Sequence, residues 1–337
     1  MNNAGLVTII IVNYNGEKYL PACLDSIVNQ NYSKYEIILV DNASQDNSVA
    51  LVKSTYPFVK IIKSERNLGF SGGNNLGIRF AKGEYYVLLN NDTIVDKNWL
   101  TELLKKIKEN NTSLSTSKVI TENIPQEYYE MNGSINYIGY NIMRVFTDLS
   151  MIFFAGGASL IMKREENLRL FPDEYFLYHE DVYLSWKARL QGKNVVMAQN
   201  SLVYHKGSAT TKRQTSAFST FFQERNRLLN CLIFYEGKTL VKLLPYFFLD
   251  AFTKVILSVL SGRKSLFGII RSYFWIFTHP RFIFTERNYI QSIRTVGDNE
   301  LLKLMSCKIV DSSNRAAQVI NLCSKIYSRI VALPHYD

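Results

Sequence analysis

The 337-residue sequence is poor in cysteine, and this shortage excludes two classes of small, cross-linked fold. Its four cysteines are scattered and form no Cys-x-x-Cys pair, which argues against a zinc ribbon and against a disulfide framework. The N-terminus also lacks a basic segment followed by a long apolar run, so we expect no secretory signal peptide. These absences suit a reducing compartment, and we expect a cytoplasmic protein.

Long uninterrupted apolar runs are missing as well. Two apolar segments follow residue 238, and the second covers residues 266–277. Charged residues, among them Lys254 and Arg271, interrupt both segments, so neither reaches the ~20 apolar residues needed to span a bilayer. Amphipathic helices that lie in a membrane interface fit this pattern, with a buried helical subdomain as the alternative.

Excess positive charge is absent from the first 200 residues and is concentrated in the rest. Residues 1–200 carry 20 Lys and Arg against 21 Asp and Glu, whereas residues 201–337 carry 19 against 8. A nucleic acid or an anionic membrane surface would each match this excess, and a solubilising charged face is equally compatible. Because the basic residues alternate with apolar ones, we favour an anionic membrane surface and expect no nucleic-acid partner.

The first hundred residues alternate between strand patterns and helix patterns. Residues 7–12 are a continuous β-branched run, typical of a strand that is buried on both faces. The remaining pattern predicts strands at 37–40, 59–63 and 85–89, and helices at 17–30, 46–55, 74–82 and 99–108, the third helix starting at an Asn cap. This rhythm predicts a Rossmann-like α/β fold, with a mostly parallel sheet and helices on both faces. Residues 111–154 carry no clear pattern.

Polar side chains follow three of the predicted strands. Asn13 follows the first, Asp41 the second, and Asn90, Asn91 and Asp92 the strand at 85–89. Ligands bind outside the carboxyl ends of such strands, so three polar strand ends together indicate a ligand site, although each alone indicates only a turn. A single carboxylate with diphosphate oxygens and water is a usual way to hold Mg²⁺ or Mn²⁺.

Three glycines, Gly69, Gly72 and Gly73, lie before the predicted third helix. Glycine lets the backbone approach a ligand closely, and helix N-termini attract phosphate. The spacing is not Gly-x-Gly-x-x-Gly and it follows the third strand, which disfavours a dinucleotide-binding loop. A tight loop without a ligand remains the alternative.

Two carboxylates, Glu180 and Asp181, precede a helical stretch at 182–190. The aromatic residues at 175–178 would partly desolvate them, and a desolvated carboxylate has a raised pKa that suits a general base. A simple helix cap is the alternative interpretation.

Two further polar residues lie later in the chain. His205 ends an apolar stretch, where a histidine is more often structural than a ligand. Arg225 offers a guanidinium group suited to a diphosphate, with a salt-bridged helix face as the alternative.

Taken together, these segments resemble glycosyltransferase family 2, whose members are inverting enzymes with a GT-A fold. Six segments match in the family's order: 7–16, 40–46, 67–78, 90–92, 156–159 and 180–181. The sequence is most similar to a rhamnosyltransferase-like branch, which often has Asn-Asn-Asp at the metal triplet. Residues 205–208 and 225–226 are similar to that branch too. Asn90 stands where a full Asp-x-Asp triplet would have its first carboxylate.

The resemblance implies a role for each matching residue. Asn13 and Asp41 would line the base and ribose pocket, and Gly69, Phe70, Gly73, Asn74, Asn90 and Asn91 would lie near the nucleotide-sugar. Asp92 would bind the divalent cation, Mg²⁺ or Mn²⁺, with His205 completing its coordination. Asp181 would be the catalytic base with Glu180 beside it, and Arg225 would contact the leaving group or the acceptor.

The expected activity follows from the same resemblance. A GT-A domain at 1–237 would transfer a sugar, with inversion, from dTDP-rhamnose or a UDP-sugar to a hydroxyl of a lipid-linked or cell-surface glycan. A helical, basic region at 238–337 would associate peripherally with the cytoplasmic face of a membrane. A non-catalytic, membrane-associated protein that binds nucleotide-sugars remains the alternative, and homo-oligomerisation stays open.

Overall fold

The computed structural model describes residues 4–109, 111–121, 133–142, 152–165, 170–205, 216–261, 263–310 and 315–335. Residues 206–208, which complete the motif that begins at His205, lie outside these ranges.

Eight strands and eleven helices make up the described part of the chain. The strands are β1 (Val7–Asn13), β2 (Tyr35–Asp41), β3 (Lys60–Lys63), β4 (Tyr85–Asn90), β5 (Thr93–Val95), β6 (Thr112–Thr121), β7 (Ser159–Lys163) and β8 (Asn194–His205). The first six helices are α1 (Leu20–Val28), α2 (Ser48–Thr55), α3 (Gly69–Ile78), α4 (Trp99–Ile107), α5 (Glu180–Leu190) and α6 (Ser216–Phe234). The last five are α7 (Gly237–Ser261), α8 (Arg263–Thr278), α9 (Pro280–Ser292), α10 (Asp298–Leu302) and α11 (Arg315–Ile330). A 3₁₀ turn, Asp173–Tyr175, precedes α5.

The strands form one sheet in the order β3-β2-β1-β4-β7-β6-β8-β5. Strands β1 to β4 pair in parallel, as do β6 and β8. Strand β7 runs antiparallel to both of its neighbours, and β5 runs antiparallel to β8. The carboxyl ends of β1, β2, β4, β6 and β8 therefore share one edge of the sheet with the amino end of β7.

The sheet is buried on both faces because successive side chains of β1 enter different cores. Ile9 and Ile11 pack with the apolar faces of α1, α2 and α4, whereas Ile10 belongs to the core on the opposite face, which includes residues of α5 and α6. A strand that must be apolar on both sides has the unbroken β-branched sequence seen here. The α/β fold with helices on both faces, predicted from the sequence, is confirmed.

Helix α3 corrects one prediction, since it begins at Gly69 and not at an Asn cap at residue 74. Its glycines lie inside the helix and let it approach β1. A Cβ atom on Gly73 would lie 2.7 Å from Cγ1 of Val12, and one on Gly77 would lie 2.6 Å from Cγ2 of Ile10. The glycines therefore allow close packing of the helix on the strand. From the sequence alone, the same glycine pattern predicts a loop.

Strand β6 lies where the sequence showed no pattern. It is an inner strand between β7 and β8, yet its buried centre is Ser115, Thr116 and Ser117. The Ser117 hydroxyl bonds those of Ser159 and Ser201, at 2.8 and 2.9 Å. A buried strand built on hydroxyl pairs lacks the apolar signal that strand prediction depends on.

The C-terminal part is helical, as predicted, and a buried ion cluster joins it to α6. The Arg227 guanidinium lies 2.9 Å from Glu224 and 2.8 Å from Asp250 of α7, and the Lys254 ammonium lies 3.0 Å from Asp250. Helix α8 packs along α6, for example through Arg271 over the ring of Phe221. Within the described residues, no helix has both the length and the apolar character that crossing a membrane requires.

Candidate active site

A cleft of about 570 Å³ opens at the edge of the sheet where the carboxyl ends meet. This volume lies within the range of ligand pockets. Eight of the predicted site residues line the cleft: Gly69, Phe70, Asn90, Asn91, Asp92, Glu180, Asp181 and His205. They come from α3, the β4–β5 turn, α5 and the end of β8, so the fold brings together residues that are far apart in sequence.

Asp92 and His205 form a pair on one side of the cleft. Antiparallel pairing of β5 with β8 sets Thr93 opposite His205, and this register brings the histidine beside the preceding aspartate. The Nε2 atom of His205 lies 3.0 Å from Oδ1 of Asp92 and 3.4 Å from Nδ2 of Asn90. Asp92 is buried, so its carboxylate is held in place at the floor of the cleft.

This pair fits a divalent cation whose remaining coordination positions are filled by the substrate. Within the described residues, no group of three or more His, Cys, Asp or Glu side chains could enclose a metal ion by itself. Magnesium-type sites commonly use one or two protein ligands, with phosphate oxygens and water in the other positions. One carboxylate oxygen and one imidazole nitrogen at the same point of a cleft meet that requirement.

Asp181 lines the same cleft and lies in the first turn of α5. Its Oδ2 accepts a hydrogen bond from Gly157 N at 3.1 Å, and its Oδ1 accepts one from Val182 N at 2.8 Å. Desolvation raises the pKa of Asp181, and these two backbone bonds oppose the rise. The result is an oriented carboxylate that takes up a proton more readily than an ordinary aspartate.

Glu180, the neighbouring residue, has a different environment. It is buried, and its Oε2 atom has no hydrogen-bond partner within the described part of the chain. Burial and the adjacent Asp181 carboxylate raise the pKa of Glu180 well above its usual value. Of the two carboxyl groups, Asp181 has more backbone hydrogen bonds that stabilise it as an anion.

Asn13 and Asp41 do not line the cleft but support the loops around it. Asn13 is fully buried, donates to the hydroxyls of Ser44 and Ser48, and accepts from Nδ2 of Asn91 at 2.8 Å. Asp41 is also buried and accepts from Ser44 N at 3.2 Å. Their direct contact with a nucleotide therefore stays a proposal.

Gly73 and Asn74 also lie behind the cleft wall. Gly73 packs against Val12, as described above, and the Nδ2 of Asn74 donates to Phe70 O at 2.9 Å. Both residues shape the turn of α3 that carries Gly69 and Phe70, which do line the cleft.

Arg225 lies outside the cleft lining, in the interior of α6. Its guanidinium donates to the carbonyl oxygens of Glu174 and Tyr175. The guanidinium carbon also lies 4.7 Å from the centre of the Trp275 ring. All of these partners belong to the protein's own framework. The arrangement favours support of the neighbouring segment over contact with a diphosphate.

Several lining residues escaped the sequence reasoning. Asn42 holds the turn of α3 by accepting from Leu68 N and donating to Gly69 O. Strand β6 and the residues around it supply another wall: Thr116, Ser117, Val119, Thr121, Asn141 and Phe154. Asn42 lies in a segment that matches the family, so the signal was present there. The β6 residues gave none, because that strand has no apolar pattern.

Comparison with known proteins shows which family and which enzymes the chain resembles. Residues 8–169 match the model of the family described as "Glycosyl transferase family 2". Poly(ribitol-phosphate) beta-glucosyltransferase of Bacillus spizizenii is 31% identical over 209 residues, which are 59% of this chain and 32% of the relative. UDP-Glc:alpha-D-GlcNAc-diphosphoundecaprenol beta-1,3-glucosyltransferase WfgD of Escherichia coli is 23% identical over 231 residues, 66% of this chain and 83% of the relative.

A solved structure extends the likeness to the C-terminal helices. TarS 1–349 of S. aureus in complex with UDP superposes with a TM-score of 0.55 at 17% identity, over 96% of this chain and 89% of that chain. At this identity the likeness concerns the fold. The chain spans only between 32% and 36% of the length of four curated relatives that it matches. Residues 8–169, just under half of the chain, therefore form a domain of the glycosyl transferase family 2 type.

Proposed function

We propose that this chain transfers a sugar from a nucleoside-diphosphate donor to a hydroxyl group, with inversion at the anomeric carbon. One observation carries the proposal. The Asp92–His205 pair and the Asp181 carboxylate line one cleft, although they lie in separate parts of the sequence. A cleft that contains both a cation-type pair and an oriented base suits a displacement between a diphosphate and an acceptor.

The reaction would be a single displacement. The acceptor oxygen forms a bond to the anomeric carbon while the bond from that carbon to the diphosphate oxygen breaks, and Asp181 takes the acceptor's proton. A positioned base of this kind contributes about 10²–10⁴ in rate. The two backbone hydrogen bonds to Asp181 support this role because they fix the direction of its carboxylate.

Asp92 and His205 would hold a divalent cation, Mg²⁺ or Mn²⁺, against the donor diphosphate. When bound, such a cation neutralises the charge that develops on the departing phosphate. Asn90 stands where a full Asp-x-Asp triplet would have its first carboxylate. Its amide nitrogen lies 3.4 Å from His205 Nε2, so the Asp92–His205 pair still has a polar neighbour at the first triplet position.

The donor and acceptor are proposed at the level of chemical class. The donor would be dTDP-rhamnose or a UDP-sugar, and the acceptor a lipid-linked or cell-surface glycan. A relative that acts on a diphosphoundecaprenol-linked sugar, as its name states, supports a lipid-linked acceptor.

The helical region at 238–337 would bring the cleft to such an acceptor by binding the cytoplasmic face of an anionic membrane. Helix α8 exposes Phe267, Ile270, Phe274 and Phe277, whose spacing of three, four and three residues places them in one stripe. Exposed Arg271 and Arg281 lie close in sequence to the stripe. Apolar side chains flanked by basic ones match the acyl and head-group layers of an anionic surface.

The proposal is tested with purified protein, a panel of dTDP- and UDP-sugars, Mn²⁺ and a bacterial lipid extract. We expect acceptor-dependent release of the nucleoside diphosphate from one donor, and a product with the anomeric configuration opposite to that donor. Asp181→Asn should lower the rate by at least about 100-fold, whereas Glu174→Gln, an exposed carboxylate nearby, should keep it. Nucleotide-sugar binding without transfer would instead establish the non-catalytic alternative.

A further inference from the structure

The segment that leads into α5 has an unusual backbone. Phe176, Tyr178 and His179 have φ values of +57°, +68° and +61°. Residues with a side chain rarely adopt this left-handed region, and holding three of them there costs free energy that other contacts must offset. Phe176 and Tyr178 line the cleft, and His179 directly precedes Glu180 and Asp181. The backbone of this segment therefore decides where the Asp181 carboxylate points.

Helix α6 supplies the contacts that hold the segment. The Nδ2 atom of Asn226 lies 2.8 Å from each of three carbonyl oxygens, those of Tyr175, Leu177 and Tyr178. One turn later, Nδ2 of Asn230 donates to His179 O at 3.1 Å, and its Oδ1 accepts from the Tyr175 hydroxyl at 2.6 Å. Two amide side chains thus bond the carbonyls of Tyr175 and of residues 177–179.

Arg225 completes the arrangement by orienting the Asn226 amide. Its Nε donates to Asn226 Oδ1 at 2.9 Å, which turns the amide nitrogen toward the three carbonyls. Its Nη2 donates to Tyr175 O at 3.2 Å. The guanidinium lies 4.7 Å from the rings of Phe222 and Trp275, so aromatic side chains of both α6 and α8 pack against it.

We propose that Arg225, Asn226 and Asn230, the α6 clamp, are positioning residues that aim Asp181 into the cleft by holding the left-handed segment before it. The proposal rests on the glycosyl transfer proposed above. None of the three residues is part of the cleft lining formed by the described residues, so they act through the backbone of the segment and not on the substrate. All three are buried and lie on the face of α6 turned to that segment.

Asn226→Asp tests the clamp with almost no change in shape. The carboxylate can still accept from Arg225, but it cannot donate, and it places an anion against three carbonyl oxygens. We expect kcat to fall by about 100-fold, because a displacement of about 1 Å at a reacting group costs that much. The Kd for UDP or dTDP should stay within about twofold, since Asp92 and His205, the pair proposed to hold the cation against the diphosphate, belong to other elements than the segment. Gln223→Ala, at an exposed position on the same helix, is the matched control and should keep both values.

Hydrogen exchange gives a readout that does not depend on activity. In Asn226→Asp the amides of residues 176–180 should exchange at least about tenfold faster, with the rest of α6 unchanged. If the wild-type protein transfers no sugar but this local change is seen, the proposed function fails and the clamp stands. Unchanged exchange at 176–180, or a kcat within twofold of wild type, would overturn the clamp. Global loss of protection in α6 would overturn it too, because it would indicate an ordinary structural role.

A second variant tests the clamp without the buried charge that Asn226→Asp introduces. His179 is left-handed but does not line the cleft, and glycine adopts this conformation without a steric penalty. In an Asn226→Ala background, His179→Gly should therefore recover about tenfold in kcat with no change in UDP affinity. The absence of any recovery would contradict the role assigned to the clamp.

Discussion

The Nε2 atom of His205 lies 3.0 Å from Oδ1 of Asp92, although 113 residues separate the two along the chain. Pairing of a three-residue strand, β5, with the end of β8 creates this contact. The strand is short, but it fixes a nitrogen and an oxygen at one point of the cleft. Both atoms are of the type that a divalent cation accepts when phosphate oxygens supply the rest.

Asp92→Asn should weaken cation binding in the presence of nucleotide. We expect a loss of at least about tenfold in Mn²⁺ affinity, since even residues that only support metal ligands are worth about 10–100-fold. Titration of Mn²⁺ into the protein with UDP or dTDP, followed by thermal shift, measures this. Glu109→Gln, at an exposed ion pair with Lys106 just past the end of α4, is the control. Equal Mn²⁺ affinity in Asp92→Asn and wild type would remove Asp92 from the cation site.

The rate of transfer should fall as the pH is lowered, because Asp181 acts only as an anion. Desolvation raises the pKa of Asp181, so the protonated, inactive form should persist above the ordinary aspartate value of about 3.9. The profile of kcat/KM against pH in wild type gives the apparent pKa of this acid limb. A limb centred at or below pH 3.9 would contradict the environment described for Asp181.

Glu180→Gln should stabilise the fold, and the gain should depend on pH. The pKa of Glu180 is raised in the folded state, so below about pH 4 both states hold the proton and the substitution changes little. As the pH rises, the unfolded glutamate ionises while the buried one resists, and wild type loses stability relative to the variant. Urea denaturation at pH 4 and pH 7 should therefore show a larger gain at pH 7. Glu300→Gln, at an exposed site, should show no such trend, and a pH-independent difference for Glu180→Gln would refute the assignment.

Gly69→Ala should damage both stability and the cleft. Gly69 has φ +69°, and a Cβ atom there would lie 2.2 Å from the carbonyl oxygen of Phe176. The left-handed conformation and the clash together should cost about 2–4 kcal/mol. Gly237→Ala is a matched control, because a Cβ atom at that position meets no atom within 4 Å. Similar unfolding midpoints for the two variants would show that Phe176 can move away freely.

Replacing Phe274 and Phe277 by serine should release the protein from anionic vesicles. These side chains are 67% and 84% exposed, and burying even one apolar side chain is worth about 1.5–3 kcal/mol. We expect the fraction floating with phosphatidylglycerol vesicles to fall by at least about tenfold. Phe58→Ser, at a 58% exposed phenylalanine in the N-terminal part, is the control. Unchanged flotation, or binding of wild type to DNA or RNA but not to vesicles, would contradict the membrane proposal.

The N-terminal half of the fold could be predicted because its strands are apolar on both faces. β1 contains the predicted strand and extends it by one residue, Asn13, and β2 and β4 lie where the sequence indicated strands. The start of α3 could not be predicted, since its glycines serve packing against Val12 and Ile10 and these contacts are not local in sequence. The buried hydroxyl pairs of β6 link it to residues more than 40 positions away. No local sequence pattern therefore predicts this strand.

The site divides in the same way. Asp92, Asp181 and His205 were singled out through resemblance and strand-end position, and they do meet at one cleft. Arg225 was also singled out, but a sequence cannot tell a guanidinium that faces a substrate from one that bonds backbone carbonyls. Its burial and its partners decide that question. Asn226, which makes the most contacts with the left-handed segment, was noted only as part of the 225–226 match to the rhamnosyltransferase-like branch, and that match gives it no positioning role.

The ion cluster around Arg227 limits how the molecule can be divided. Its carboxylate partner Asp250 belongs to α7, whereas Arg227 and Glu224 belong to α6. A chain shortened to residues 1–237 would lose Asp250 and Lys254 together, so Arg227 would keep only one of its two carboxylate partners, Glu224. The α6 clamp lies on the same helix, within five residues of Arg227. Removing residues 238–337 to obtain a smaller crystallisable fragment would thus loosen α6, the helix that orients Asp181. Inactivity of such a fragment would therefore say nothing about membrane attachment.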